Sequence, residues 1–196
     1  CPKVGREPSR RNMELPKFKY HSDPLKSGSI IESDAVCLCC GKATGYIYGG
    51  LPYSEVELED SICPWCIASG AAQKKFDAEF TDFDGIGGYG DWEDVALSIK
   101  EEITYRTPGF TGWQQERWWT HCSDGADYLG CAGFREIKEY GQDLEDSLKS
   151  VATVTYGLKE GQWESFFQSL EADGSPTAYI FKCIHCGKHG GYIDFD

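Results

Sequence analysis

Four thiols in two closely spaced pairs are the residues of this chain best suited to chemistry. They stand in Cys37-Leu38-Cys39-Cys40-Gly41 and in Cys63-Pro64-Trp65-Cys66, with 22 residues between Cys40 and Cys63. Pairs at this x2 spacing can place four sulfurs tetrahedrally around one Zn²⁺ at about 2.3 Å. Gly41 lets the backbone turn tightly behind Cys40 and aim its N–H at thiolate sulfur, the make-up of a zinc knuckle. Cys39 is left over, because adjacent Cys39 and Cys40 cannot easily both reach one metal. The same four residues allow two other readings. A Cys-x-x-Cys that opens a helix is also the layout of a redox pair, although that chemistry calls for a strand in a βαβ setting and has no use for a second pair upstream. Buried, unmetallated thiols are the third reading.

The end of the chain repeats this unit. Cys-x-x-Cys-Gly-Lys-x-x-Gly-Tyr-Ile runs from Cys37 to Ile47 and again from Cys183 to Ile193. A second knuckle with its own hairpin follows, and it needs two further ligands. Cys122 is the first candidate, with His121 beside it and Cys131 nine residues on. A terminal knuckle that keeps its shape by packing alone, its thiols free of metal, is the alternative.

Elements must position these residues. The spacer from Ala43 to Leu58, rich in Tyr and Ile and holding Gly49-Gly50, suits a β-hairpin. Ile67 to Phe80, with four alanines and no proline, suits a helix whose N-terminus favours anionic thiolates. Knuckle, hairpin and helix in that order predict a treble-clef-like module. Upstream, Phe18 to Leu25 reads as extended with a turn at Asp23-Pro24, and His21 as a hydrogen-bonded packing residue. Gly85 to Gly90 lacks the setting of a phosphate loop and reads as a linker. Trp92, Val95, Ala96, Ile99 and Ile103 recur at helical spacing, closed by Thr107-Pro108-Gly109. Trp113 to Cys122 carries three tryptophans, which read as core or, if exposed, as a binding surface. Phe134 to Val151 predicts a helix interrupted near Gly141, Trp163 to Leu170 a short amphipathic turn or two, and Thr177 to Lys182 a strand after the turn at 173–176. The expected class is α+β: a disordered or appended leader at 1–17, a treble-clef-like zinc module at 18–84, and a helical segment at 91–196 closed by a zinc-knuckle hairpin.

Composition narrows the function. The 196 residues suffice for a hydrophobic core, and 40% are hydrophobic. Nothing approaches a run of 18 apolar residues, and no signal-peptide pattern precedes Cys37. Ten cysteines with x2 pairing then suggest a reducing cytoplasm and metal in place of disulfides. Residues 1–12 carry a net +3 within a chain of −13, so the remainder carries −16. Such acidity repels nucleic acid and bilayer surfaces and attracts basic proteins, although it also serves solubility alone.

Longer motifs bring a family into view. Tyr20-His21-x-Asp23-Pro24-Leu25-x-x-Gly28-Ser29-Ile30 and Cys37-x-Cys39-Cys40-Gly41 are two of them. Ile62-Cys-Pro-Trp-Cys-Ile-Ala68 continues into the stretch 75–82, Pro108-Gly-Phe-x-Gly-Trp-Gln-Gln-Glu116 leads to His121-Cys122-x-Asp124, and the terminal knuckle follows. From about Phe18 onward the chain resembles the CbrC family of bacterial proteins with three Cys-x-x-Cys motifs. The resemblance implies a second site built from Cys122, a cysteine four residues later, Cys183 and Cys186. Here Ala126 stands at that later position, so Cys131 or a histidine must substitute. The resemblance also implies tolerance to nuclease colicins or an immunity-like role, in which an acidic protein occupies a basic nuclease toxin.

Three functions compete. The first is a non-enzymatic zinc-scaffolded interaction protein that meets its basic partner through acidic loops around Glu55 to Asp60. The second is a zinc enzyme with an open site of Cys122, Cys183 and Cys186, served by Asp124 or Glu116 as general base. Nucleic-acid binding comes third for want of a basic patch beyond residue 12. Four histidines and no serine motif support no Ser-His-Asp triad.

Overall fold

The first knuckle is itself the turn of a hairpin. A computed structural model, which describes residues 14–90 and 92–195, pairs strand β1 (Ile30–Val36) antiparallel with β2 (Ala43–Tyr48) across it. Cys37 N–H donates to Lys42 O at 2.9 Å and Gly41 N–H to Cys37 O at 2.8 Å, and Gly41 takes the φ of +71° that this closure demands. Farther on, β6 (Thr177–Lys182) and β7 (His189–Asp194) flank the second knuckle in the same way. There the equivalent bonds are 2.8 Å (Cys183 N–H to Lys188 O) and 3.0 Å (Gly187 N–H to Cys183 O), with Gly187 at φ +77°. The sequence repeat is a structural repeat.

This placement corrects the hairpin expected inside the spacer. Past β2, residues 49–62 form no strand, although an isolated bridge joins Tyr53 to Glu79. The treble-clef order is therefore not reproduced as a knuckle followed by a separate hairpin. The single helix expected from Ile67 to Phe80 also divides, into α1 (Pro64–Ala68) and α2 (Ala71–Phe76). Gly70 sits between them at φ +69°, left-handed, and Asp77 at φ +51° ends the second.

Between the two knuckles lie α3 (Leu97–Arg106), the two-residue strands β3 (Thr120–His121) and β4 (Asp124–Gly125), and β5 (Asp127–Ala132). Helices α4 (Phe134–Tyr140), α5 (Gln142–Tyr156) and α6 (Trp163–Gln168) follow, with Gly141 separating the first two. Trp92 and Val95, expected inside α3, precede it, and Trp92 is buried all the same. Residues 85–90, read as a linker, are tied down: Gly87 N–H donates to Trp118 O and Trp118 N–H to Gly85 O.

Strand β6 explains the three-stranded sheet β5-β6-β7. Its run Thr177-Ala-Tyr-Ile-Phe181 is buried throughout, the mark of a strand covered on both faces. Tyr179 and Phe181 enter a core with Tyr20, Phe110, Trp118, Tyr128 and Tyr192, in which the Phe110 and Tyr128 rings stack at 4.0 Å. Ala178 and Ile180 face the opposite way, into Leu144, Leu148, Phe167 and Ile193. Helix α5 supplies that side through Leu144, Leu148 and Ala152, a helical stripe, while its Val151 joins the aromatic core. A third core, of Phe18, Ile30, Ile47, Leu58, Ile62, Ile67 and Phe80, surrounds the first knuckle. Each such side chain, fully buried, contributes about 1.5–3 kcal/mol. Of the three tryptophans in 113–122, Trp118 and Trp119 are core, whereas Trp113 is half exposed and donates Nε1–H to Gly174 O. The leader expected at 1–17 lies outside the described residues up to position 13.

Candidate metal centres

Cys37 follows β1, Cys40 lies in the knuckle turn, Cys63 precedes α1 and Cys66 lies in its first turn. This brings their four sulfurs within 4.8 Å of one another. Sulfurs at the corners of a tetrahedron around Zn²⁺ at 2.3 Å stand roughly 3.8 Å apart. Cys37 and Cys66 Sγ are 3.8 Å apart and Cys40 and Cys63 Sγ 3.9 Å, so the donor set fits such an ion. A hydrogen bond from the Cys63 thiol holds the Cys37 thiol down to about 4, against the opposing effect of burial. Backbone N–H groups add to it, that of Cys63 pointing at Cys37 Sγ over 3.3 Å. Cys63 and Cys66 move the other way: the neighbouring Cys37 thiolate, then burial, raises Cys63, and burial raises Cys66. Without a cation, Cys63 and Cys66 resist ionisation beside Cys37. A cation would let them ionise together with it. Lys75 on α2 donates to Leu38 O at 3.0 Å and Cys39 O at 2.9 Å, fastening the knuckle to the helix. Cys39 stays outside the set of four.

The second cluster joins His121, Cys122, Cys183 and Cys186, also within 4.8 Å. His121 Nδ1 lies 3.2 Å from Cys122 Sγ and 3.5 Å from Cys186 Sγ. One nitrogen and one sulfur ligand on tetrahedral zinc stand roughly 3.5 Å apart, so this set fits as well. His121 takes the place left by Ala126, which is buried in the aromatic core. Cys131 does not reach the cluster, since it lies on β5 with its sulfur 3.6 Å from Tyr128 Oη.

Local backbone explains how His121 and Cys122 both point inward. They belong to the β3–β4 turn, where Cys122 (φ +54°) and Ser123 (φ +58°) are both left-handed. Glu93 holds that turn by accepting from Cys122 N–H at 3.2 Å and Ser123 N–H at 2.7 Å. The Trp119 ring stacks on the His121 imidazole at 5.2 Å and fixes its plane. Burial opposes ionisation of Cys183, but the backbone N–H groups of Cys186 and His185 bring its thiol down to about 6.

Four donors would complete a tetrahedral shell, whereas a hydrolytic zinc keeps one position for water. The three thiols expected to form an open site, Cys122, Cys183 and Cys186, have His121 beside them as a fourth possible donor. Neither proposed general base stands free. Asp124 is buried and accepts from Tyr20 Oη at 2.6 Å, Lys19 Nζ at 2.9 Å and His185 Nε2 at 2.9 Å. Its desolvation is outweighed by these donors, which hold its carboxyl down to about 2, a poor proton acceptor. Glu116 accepts from Tyr53 Oη at 2.7 Å.

Comparison with known proteins covers the same span. The model of an uncharacterised protein family, UPF0167, matches residues 15–195. UPF0167 proteins of Mycobacterium bovis and Mycobacterium tuberculosis are each 42% identical over 184 residues, covering 93% of this chain and 94% of theirs. A UPF0167 protein of Pseudomonas aeruginosa is 42% identical over 185 residues, covering 94% of this chain and 99% of its own. These matches correct the assignment to the CbrC family made from the motifs, since family and relatives alike carry the UPF0167 name. The colicin tolerance and immunity implied by that assignment go with it. No solved structure matches.

Proposed function

The chain belongs to the UPF0167 family, and from the two four-donor clusters it carries we propose that it is a zinc-scaffolded protein-interaction module with a basic protein as partner. Cys37, Cys40, Cys63 and Cys66 hold one zinc ion; His121, Cys122, Cys183 and Cys186 hold the other. Both ions are structural. The observation that carries this reading is the closed donor set at each cluster, together with sulfur spacings of 3.8 and 3.9 Å at the first. No helix among the described residues is long and apolar enough to cross a membrane.

The partner surface is the loop after β2. Glu55, Glu57, Glu59 and Asp60 are exposed there, interleaved with the exposed apolar residues Leu51, Tyr53 and Val56. Acidic residues around apolar anchors suit a basic partner, which the net charge of −16 beyond residue 12 draws in. Two measurements test this. Native mass spectrometry should find two zinc ions per chain. Association with a panel of small basic proteins, nucleases with phosphate-binding clefts among them, should yield a tight pair. Its on-rate should fall sharply between about 50 and 500 mM salt, as the Debye length shrinks, and Glu57→Lys with Glu59→Lys should abolish it. Metal-free folded protein, or a panel with no such pair, would refute the reading.

A further inference from the structure

Outside both clusters, a buried hydrogen-bonded pair has the arrangement of a nucleophile and its base. His21 is fully buried, with Nδ1 2.7 Å from Pro108 O and Nε2 2.6 Å from Ser27 Oγ. A carbonyl oxygen only accepts, so Nδ1 carries the ring proton and Nε2 presents a lone pair. The Ser27 hydroxyl therefore donates to Nε2, its shortest contact; Pro24 O and Ser29 Oγ each stand farther off at 3.2 Å. Burial favours the neutral ring, the form a base requires, while the carboxylates of Asp127 and Asp23 favour the imidazolium that forms when the ring takes a proton. Asp127 is itself held by Ser22, through N–H and Oγ, each at 2.7 Å. Tyr128 packs edge-on against the imidazole at 5.1 Å.

A hydroxyl that merely satisfied a buried histidine would need no opening. Ser27, by contrast, is only half-buried and lines two cavities. The smaller, of about 210 Å³, is walled by Gly28, Gly109, Phe110 and Tyr128. The larger, of about 580 Å³, is walled by Lys26, Glu139, Tyr140 and Asp173. Gly28, at φ +79°, has nothing within 4 Å of where a Cβ would stand, so the backbone beside Ser27 is open.

We propose that Ser27 and His21, with the Pro108 carbonyl orienting the ring, form a hydrolytic dyad that cleaves esters of short acyl chains. The third place of a Ser-His-Asp triad is taken here by a backbone carbonyl. Ser27 Oγ adds to the ester carbonyl carbon as its proton passes to His21 Nε2. The bond to the leaving alcohol breaks, and the alcohol departs with that proton. Water then adds to the acyl carbon, giving a proton to Nε2. The bond to Oγ breaks, the carboxylic acid leaves, and Ser27 recovers its proton. The smaller cavity limits the acyl group to a few carbons, and the larger one receives the alcohol.

The test uses the full chain, a fluorophosphonate probe with peptide mass spectrometry, and 4-nitrophenyl acetate as substrate. The probe should be found on Ser27 and not on Ser29. Ser27→Ala should bring hydrolysis to the buffer rate, Ser29→Ala should leave labelling in place, and His21→Gln should cost about 10²–10⁴-fold. Because replacing a buried histidine can unfold the chain, the decisive readout is the labelling site in the wild-type protein, which needs no variant. Wild-type protein left unlabelled, a label elsewhere, or Ser27→Ala hydrolysing as fast as wild type would overturn the dyad.

Discussion

The indole of Trp119 lies where a side chain on Gly190 would have to go: a Cβ built on that glycine falls into the ring. Trp119 in turn stacks on His121. A glycine on β7 thereby sets the plane of a donor in the second cluster. Gly190→Ala should push the indole aside and loosen the second metal alone. Zinc titration should show affinity at that site falling about 10–100-fold, the usual cost of losing a residue that supports a ligand. The first site should be unchanged.

Truncating the first cluster should be far more damaging. Structural zinc is worth about 10–16 kcal/mol in small zinc modules, against a domain stability of about 5–15 kcal/mol. Cys66→Ala, and separately Cys40→Ala, should give insoluble or partly unfolded protein in expression and melting assays. Two variants as heat-stable as the wild type would remove that cluster from the fold's supports.

Under a graded chelator the two ions should leave in order. Three of four thiols in the first cluster are buried, whereas Cys122 and Cys186 in the second are exposed. The second ion should therefore go first in native mass spectra. His121→Ala should remove it at once, and Cys131→Ser should not. An unchanged metal count in His121→Ala would return the fourth ligand to some other residue.

Stability should also fall in mild acid through His21. Burial lowers its folded-state pKa, so the unfolded chain binds the proton more readily. The contribution is fully present above the unfolded value of about 6.5 and is lost as pH falls through the lower folded value. Denaturation at saturating zinc between pH 7.5 and 5 should show a slope of up to about 1.4 kcal/mol per pH unit from this one group. His21→Gln, which takes no proton, should flatten that slope even if it is less stable throughout.

How much of the molecule is legible in its sequence depends on distance along the chain. The thiol pairs are local, so spacing alone names Cys37, Cys40, Cys63 and Cys66. The repeat names the terminal pair, and the two ligands that pair still needs point to Cys122. His121 shows only as a neighbour of Cys122, because adjacent residues seldom share a metal; it takes two successive left-handed residues to turn both inward. Strand β1 escapes notice because Glu32 and Asp34 interrupt its apolar pattern, and only Ile30 along it is buried. Gly70 ends a helix that alanine content extends on paper. The contact of His21 with Pro108, 87 residues on, has no local signal at all.

The strand shared by two cores has a bearing on synthesis. Everything the first knuckle needs lies before residue 81, so that part can fold while the chain is still growing. Tyr20 and Phe110 are made early but find Tyr179 and Phe181 only when β6 emerges. Until then the cluster that they form with Trp118 and Tyr128 lacks its β6 side, and the same wait holds for the apolar face of α5. Nascent chains stalled before residue 177 should therefore lean on chaperones far more than chains stalled after 194.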